Sequence, residues 1–151
     1  MINNQREFDV ALQKALEKVI NDVCIKVLEC LQKHIQDDVY NFDSNPNTWY
    51  QPTFEFLNAF KFDGIQSNSS EVSNNLFYDW VSMSVGNWIH GNKSGSVDRR
   101  ESLASILNVS GKNGQYDFRG KERNKFWDNA INEINRLFDK WAKEACNKYL
   151  K

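Results

Sequence analysis

The sequence predicts an α+β fold in which two long amphipathic helices pack on a small antiparallel β-sheet, with two short helices between them. Apolar residues recur at intervals of three and four over residues 5–39 and again over residues 121–150, which is the spacing of one helical face. Residues 76–85 instead alternate between apolar and polar, which is typical of a strand. Because strands and helices do not alternate regularly along the chain, an antiparallel sheet is favoured over a parallel one.

The length and composition fit one folded domain spanning residues 1–151. Hydrophobic residues make up 40% of the chain and charged residues 26%, a folded composition rather than a disordered one. With 19 basic and 20 acidic residues the net charge is −1, which argues against a general polyanion binder, because neutralising phosphates needs a concentrated positive field. No segment approaches the roughly 20 apolar residues of a membrane span, and the N-terminus lacks the apolar centre of a signal peptide. We therefore expect a soluble, intracellular protein.

The first long helix is expected over about residues 5–39, a length of about 50 Å. On its polar side, Asp22 and Lys26 have the spacing of an ion pair within the helix, as do Glu29 and Lys33. Its apolar face is expected to consist of Phe8, Leu12, Ala15, Leu16, Val19, Ile20, Val23, Val27, Leu28, Leu31 and Ile35.

The last long helix is expected over about residues 121–150, with the most regular apolar stripe in the chain. This stripe consists of Phe126, Trp127, Ala130, Ile131, Ile134, Leu137, Phe138, Trp141, Ala142, Ala145 and Tyr149. Four basic residues crowd its entrance, at positions 119, 121, 123 and 125. Positive charge at a helix N-terminus opposes the helix dipole. The cluster is therefore either simply solvated or a contact for an acidic partner or nucleic acid.

The segment "TWYQPTFEFLNAF", residues 48–60, concentrates aromatic side chains. From Thr53 to Phe60 it can form about two helical turns, with Phe56, Leu57 and Phe60 on one side. We predict that this short helix is an anchor wedged between the two long helices.

The middle of the chain is expected to contain the sheet. The predicted strand at 76–85 places Phe77, Val81, Met83 and Val85 on one face, and its partner strand is expected within residues 61–73. The glycine-rich residues 86–96 are predicted to form an exposed loop, and residues 109–120 a second loop or a short hairpin arm. Between them, a short helix is predicted from a capping box at Asp98 and Glu101 to Asn108, with Leu103, Ile106 and Leu107 facing inward.

The catalytic signals are sparse. No phosphate-binding glycine motif or nucleophile elbow occurs, so no cofactor is predicted. His34 is expected on the polar side of the first helix, in a solvated or capping role. His90 and Lys93 lie in a glycine-rich segment and, with Arg99 and Arg100, could serve a nuclease or nucleic-acid binder. No metal-ligand spacing accompanies them, so no metal site and no enzyme is predicted.

Three cysteines without C-x-x-C spacing predict free thiols, neither a disulfide framework nor a zinc site. Cys24 is expected to be buried, and Cys30 and Cys146 to be partly exposed. Trp88 lies close to a glycine in the segment at 86–96, which is predicted to be exposed, and is the aromatic residue most suited to an interface. The candidate partner-binding residues are therefore Trp88, His90, Arg99 and Arg100.

The order of elements, and three short segments, resemble the tail-completion or head–tail joining (neck, minor tail) proteins of tailed bacteriophages and prophages. Tyr50, Thr53 and the following "FEFLNAF" are similar to the family's Tyr-x-Arg-Thr segment and Leu-rich helix, although Pro52 stands where the family has Arg. The other two are "WIHG" at 88–91, and "KFWDNAINEINRLF" at 125–138, which is similar to the aromatic opening of the family's last helix.

The resemblance implies a non-enzymatic virion protein, assembled in the bacterial host cytoplasm, that forms a homo-oligomeric ring, with sixfold symmetry expected, and binds other head or tail proteins. DNA would pass through the ring without sequence-specific contact, and no membrane or small-molecule substrate is implied. Two alternatives stay open. One is a small phage-encoded nuclease or nucleic-acid-binding protein that uses the His90 segment. The other is a regulatory interaction module, such as an immunity protein or antitoxin.

Overall fold

The computed structural model describes residues 2–40, 54–84, 89–92, 95–98, 100–108 and 125–150, and it confirms the α+β fold class. The first helix, Ile2–Ile35, continues directly into a π-helical turn, Gln36–Tyr40, and a 3₁₀ turn, Trp80–Ser82, follows the strand Leu76–Tyr78. None of the helices in these ranges combines the length and apolarity needed to cross a membrane. The elements are α1 (Ile2–Ile35), β1 (Phe60–Phe62), β2 (Gln66–Ser67), β3 (Val72–Ser73), β4 (Leu76–Tyr78), β5 (Ile89–Asn92), β6 (Gly95–Asp98), α2 (Leu103–Asn108) and α3 (Phe126–Tyr149).

The two long helices form an antiparallel pair, and charged side chains contact one another across it. Lys26 bonds to Glu144 at 2.7 Å, and Asp22 bonds to Lys148 at 2.9 Å. The charge of Lys26 helps to lower the pKa of Asp22, as the predicted pairing implies, but each of the two residues makes its direct ion pair with a partner on α3. Lys33 likewise makes its direct ion pair with α3, where its Nζ lies 3.3 Å from the carboxylate of Glu133.

The main core lies at the C-terminal end of α1, where the aromatic segment meets both long helices. Phe56 is 1% exposed and packs edge-to-face against Phe60, Tyr78 and Phe126, with ring centroids 5.5–5.9 Å apart. Such pairs add to the stabilisation from apolar burial. A smaller cluster, formed by Val19, Val23 and Ala145, lies farther along the helix pair. The buried residues of the main core are Leu31, Ile35, Phe56, Ala59, Phe60, Met83, Leu103, Phe126 and Ala130.

Residues 54–58 form a turn, so the predicted short helix from Thr53 to Phe60 is wrong. Phe54 adopts a positive φ of 58°, which interrupts the right-handed helical path, and Phe60 already begins β1. The prediction that this segment is a core anchor is nevertheless confirmed by the burial of Phe56 and Phe60. Residues 48–53 lie outside the described ranges.

Strands β1 to β4 form one long hairpin interrupted by a bulge. Phe62 pairs with Leu76 and Gln66 with Ser73, so three residues on one side of the hairpin oppose two on the other. Gly64 sits in the longer side with φ of 107°, a conformation that suits glycine. The hairpin confirms that a partner strand lies within residues 61–73.

The predicted strand at 76–85 is too long. β4 ends at Tyr78, and the 3₁₀ turn after it breaks the alternation of inward and outward side chains that the sequence predicts. Within β4, Leu76 and Tyr78 pack against the core, so Phe77 between them is 42% exposed. In the turn Val81 is 67% exposed, whereas Met83 after it is 3% exposed and belongs to the core. Val85 lies outside the described residues.

The glycine-rich segment predicted as a loop instead contains an antiparallel hairpin. β5 pairs with β6 from Ile89 opposite Asp98 to Asn92 opposite Gly95. Asp98 therefore ends a strand, and α2 begins later than predicted, at Leu103. The predicted loop at 109–120 and the first residues of the last predicted helix, 121–124, lie outside the described ranges.

Candidate functional site

The structure describes two of the four residues predicted to bind a partner. Trp88 and Arg99 lie outside the described ranges, as does Lys93. The backbone of His90 lies in β5 opposite Val97, and its side chain is not described.

Arg100 connects β6 to the chain that follows the 3₁₀ turn. Its Nε and Nη2 donate to the carboxylate of Asp98 at 2.8–3.1 Å, and its Nη1 donates to the carbonyl of Met83 at 2.7 Å. The guanidinium also lies over the ring of Trp80, 5.4 Å from its centroid, and the side chain is only 11% exposed. The hydrogen bond from Arg100 lowers the pKa of Asp98. These contacts are structural, and a partner-binding role for Arg100 stays a prediction.

A second group of polar side chains lies between α1 and α3, beside the main core. Nε2 of His34 is 2.7 Å from a carboxylate oxygen of Glu133, and its Nδ1 is 3.1 Å from a carboxylate oxygen of Asp38. The side-chain amide of Asn129 donates to the same oxygen of Asp38 at 3.1 Å. The sulfur of Cys30 completes a group of three potential ligand atoms with His34 and Glu133, all within 4.8 Å of one another. We call Cys30, His34, Asp38, Asn129 and Glu133 the interhelical polar cluster.

The spacing of these residues explains how two helices can build the cluster. Cys30, His34 and Asp38 follow one another at intervals of four, and Asn129 and Glu133 are also four apart. Residues four apart lie on the same side of a helix, one turn above each other. Because the helices are antiparallel, the row on α1 runs opposite to the row on α3.

The interior position of the cluster shapes its electrostatics. Cys30 is 7% exposed and Asp38 is 8% exposed. Hydrogen bonds from His34 and then Lys33 lower the pKa of Glu133. Burial, and next the charge of Glu133, raise the pKa of the Cys30 thiol. A thiol of raised pKa is protonated more readily, so it is a poor nucleophile, and a metal ion could bind the sulfur only by displacing its proton.

His34 faces a carboxylate group on each of its two sides. A neutral imidazole carries a proton on one nitrogen only, yet both nitrogens of His34 face carboxylate oxygens. The ring can be doubly protonated and bridge the two carboxylates, one carboxyl group can carry the proton and donate to the ring, or a metal cation can lie between one ring nitrogen and its carboxylate. The arrangement can therefore work as a charged clamp between the helices or as a metal site.

Sequence reasoning placed two members of this cluster incorrectly. His34 was expected in a solvated or capping role, and its side chain is 15% exposed between two carboxylates. Cys30 was expected to be partly exposed, but it is buried, while Cys24 and Cys146 are half-buried. The four-residue spacing of Cys30 and His34 was the available signal, whereas the approach of Glu133 depends on how α3 packs.

No protein-family model matches the chain, and no curated protein or solved structure is significantly similar to it.

Proposed function

We propose that the chain is a non-enzymatic structural protein of a phage or prophage virion, which assembles with copies of itself into a ring that joins head and tail. The proposal rests on the resemblance of residues 50–60, 88–91 and 125–138 to that family. The structural observation that supports it best is an apolar stripe left exposed on the first turns of α1.

This stripe lies where α1 extends past α3. Lys18 of α1 lies over the ring of Tyr149, the last helical residue of α3, with its Nζ 5.8 Å from the ring centroid. Residues 2–17 therefore continue for about 24 Å beyond that level. Phe8 and Leu12, both expected on the buried face, are 60% and 38% exposed.

The stripe continues the face that packs against α3. Phe8 and Leu12 are one helical turn apart, and Val19, on the same side, is buried against Ala145. Along part of this extension, the side-chain amide of Gln13 donates to the hydroxyl of Ser67 at the tip of the hairpin. A helix that carries its apolar face beyond its intramolecular partner is typical of a protein that buries this face on assembly.

The assembly can be tested on the purified full-length chain by light scattering and electron microscopy. We expect a ring-sized particle, and we expect Phe8→Ser to shift the chain towards smaller species, since it removes the largest exposed apolar group of the stripe. Phe77→Ser is the matched control, because Phe77 is exposed to a similar degree on β4. Particles from an induced host should contain the protein. A chain that is strictly monomeric and absent from virions would overturn the proposal.

The two alternatives have separate signatures. A nuclease using His90 would cleave nucleic acid in a metal-supplemented assay and lose that activity in His90→Ala. A regulatory module would bind one stoichiometric non-phage partner and form no ring.

A further inference from the structure

We propose that Cys30, His34 and Glu133 bind one divalent transition-metal ion of the zinc class, which would cross-link α1 to α3. This site is independent of the proposed role in the virion, and it uses none of the residues of the exposed stripe on α1.

The three side chains offer the donor atoms that zinc prefers. A sulfur, an imidazole nitrogen and a carboxylate oxygen are its common protein ligands, at about 2.3, 2.0 and 2.0 Å respectively. Around a tetrahedral ion at those distances, the ligand atoms are roughly 3.3 to 3.5 Å from one another. In the structure all three ligand atoms lie within 4.8 Å of one another. Side-chain adjustments of about an ångström would bring them to the metal, leaving the fourth position for water.

The contact between His34 and Glu133 supports a cation at this place. Nε2 of His34 donates to Glu133 when it carries the ring proton; in the other tautomer Nδ1 donates to Asp38, and Nε2 directs a lone pair at the Glu133 oxygen 2.7 Å away. Two acceptors so close repel each other, and a cation between them removes the repulsion. Glu133 would move back by a fraction of an ångström to admit the ion, because its contact with His34 is shorter than the ligand spacing around zinc.

The residues behind His34 form the outer shell of a metal site. Histidine ligands commonly donate their second ring N–H to a carboxylate, which fixes the tautomer and strengthens the ligand. Asp38 takes this position at 3.1 Å, and Asn129 holds the Asp38 carboxylate from α3. The outer shell is therefore contributed by both helices, as the ligands are.

Metal binding would also account for the burial of Cys30. A thiol coordinates as the thiolate, so binding displaces the Cys30 proton to solvent and gives the sulfur a charged partner. The competing explanation is that His34 is doubly protonated and bridges Asp38 and Glu133 as an ion pair without a metal. In that case Cys30 would be a small buried apolar side chain and nothing more.

Cobalt(II) is the probe that separates these explanations, because a thiolate ligand gives it an intense near-ultraviolet charge-transfer band. The reduced full-length chain is titrated with Co²⁺, and Zn²⁺ is then added to displace it. We expect one equivalent of Co²⁺, a thiolate band that Zn²⁺ removes, and a higher melting temperature with Zn²⁺. Cys30→Ser should abolish the band. His34→Gln and Glu133→Gln should each weaken binding at least tenfold, and Asp38→Asn about 10- to 100-fold.

Cys24→Ser and Cys146→Ser are matched controls, because both cysteines lie half-buried on the same two helices. They should keep the band and the affinity. Glu133→Gln keeps the size of a side chain that is 23% exposed, so circular dichroism can verify that this variant stays folded. Absence of a thiolate band in the unmodified chain would overturn the proposal, whatever the variants show. A band that survives Cys30→Ser but disappears in Cys24→Ser or Cys146→Ser would also overturn the proposal.

Discussion

Nε2 of His34 lies 2.7 Å from the carboxylate of Glu133, although the two residues are 99 positions apart. The contact joins the first long helix to the last, in the same antiparallel register as the Lys26–Glu144 and Asp22–Lys148 pairs. Exposed ion pairs of this kind stabilise a protein by only about 0–1 kcal/mol each. They add to the preference for the register that the packed apolar faces set, since sliding either helix by a turn would separate all of these pairs.

Phe56→Ala should destabilise the fold strongly, because the ring is 1% exposed and lies between Phe60, Tyr78 and Phe126. Truncating a buried phenylalanine costs about 3–5 kcal/mol through lost burial and the cavity left behind. Urea unfolding followed by tryptophan fluorescence measures the loss. Phe77→Ala should change stability much less, since Phe77 is 42% exposed. If the two substitutions lowered the free energy of unfolding equally, the 48–60 segment would be a surface patch rather than a core anchor.

Arg100→Lys should lower the melting temperature even though it preserves the charge. The guanidinium donates at once to the Asp98 carboxylate and the Met83 carbonyl, and a lysine ammonium cannot reproduce this forked geometry. Differential scanning calorimetry is the measurement. Arg6→Lys, on the exposed start of α1, should leave the melting temperature unchanged. If Arg100→Lys also has no effect on melting but weakens assembly, the residue serves a partner rather than the fold.

Gly64→Ala should destabilise the hairpin through the backbone alone. A Cβ at this position meets nothing within 4 Å, but the φ of 107° is one that residues with side chains rarely adopt. Forcing such a conformation costs of the order of 1–3 kcal/mol. Chemical denaturation measures the loss in the free energy of unfolding, and Glu71→Ala near the hairpin tip is the control. A neutral Gly64→Ala would mean that the bulge can relax into another conformation.

The protein should lose stability in acid as its interhelical ion pairs are protonated. The hydrogen bond from Lys148 lowers the pKa of Asp22 below its ordinary 3.8, and the hydrogen bond from Lys26 lowers the pKa of Glu144 below 4.5. Between the ordinary and the lowered values the unfolded chain binds more protons, so stability falls as the pH decreases through this window. The contribution is complete above about pH 4.5 and disappears below the lowered values.

Unfolding free energies measured from pH 6 down to pH 3 test this dependence. Glu144→Gln should reduce the slope, and high salt should reduce the contribution of both exposed pairs. A slope that Glu144→Gln leaves unchanged would assign the acid sensitivity to other carboxylates.

The amino-acid sequence by itself determined the features that depend on patterns among neighbouring residues. The two long helices follow from apolar residues repeated at intervals of three and four over many turns, which no strand can place on one face. The burial of Phe56 and Phe60 follows in the same way from a dense aromatic segment in a mostly polar stretch. The hairpin at 60–78 was recognisable as a paired strand, although its bulge at Gly64 was not.

Only the tertiary structure decided which residues meet. Asp22 and Lys26 could have paired within α1, but each pairs with α3, because the packing of the apolar faces brings the partner helix closer in a fixed register. Phe77 faces outward because its neighbours in β4, Leu76 and Tyr78, are the residues that pack against the core. The interhelical polar cluster also depends on tertiary packing, here that of α1 against α3. The spacing of Cys30 and His34 is determined by the sequence of one helix. The position of Glu133 opposite them is determined by how two helices, distant in sequence, pack together.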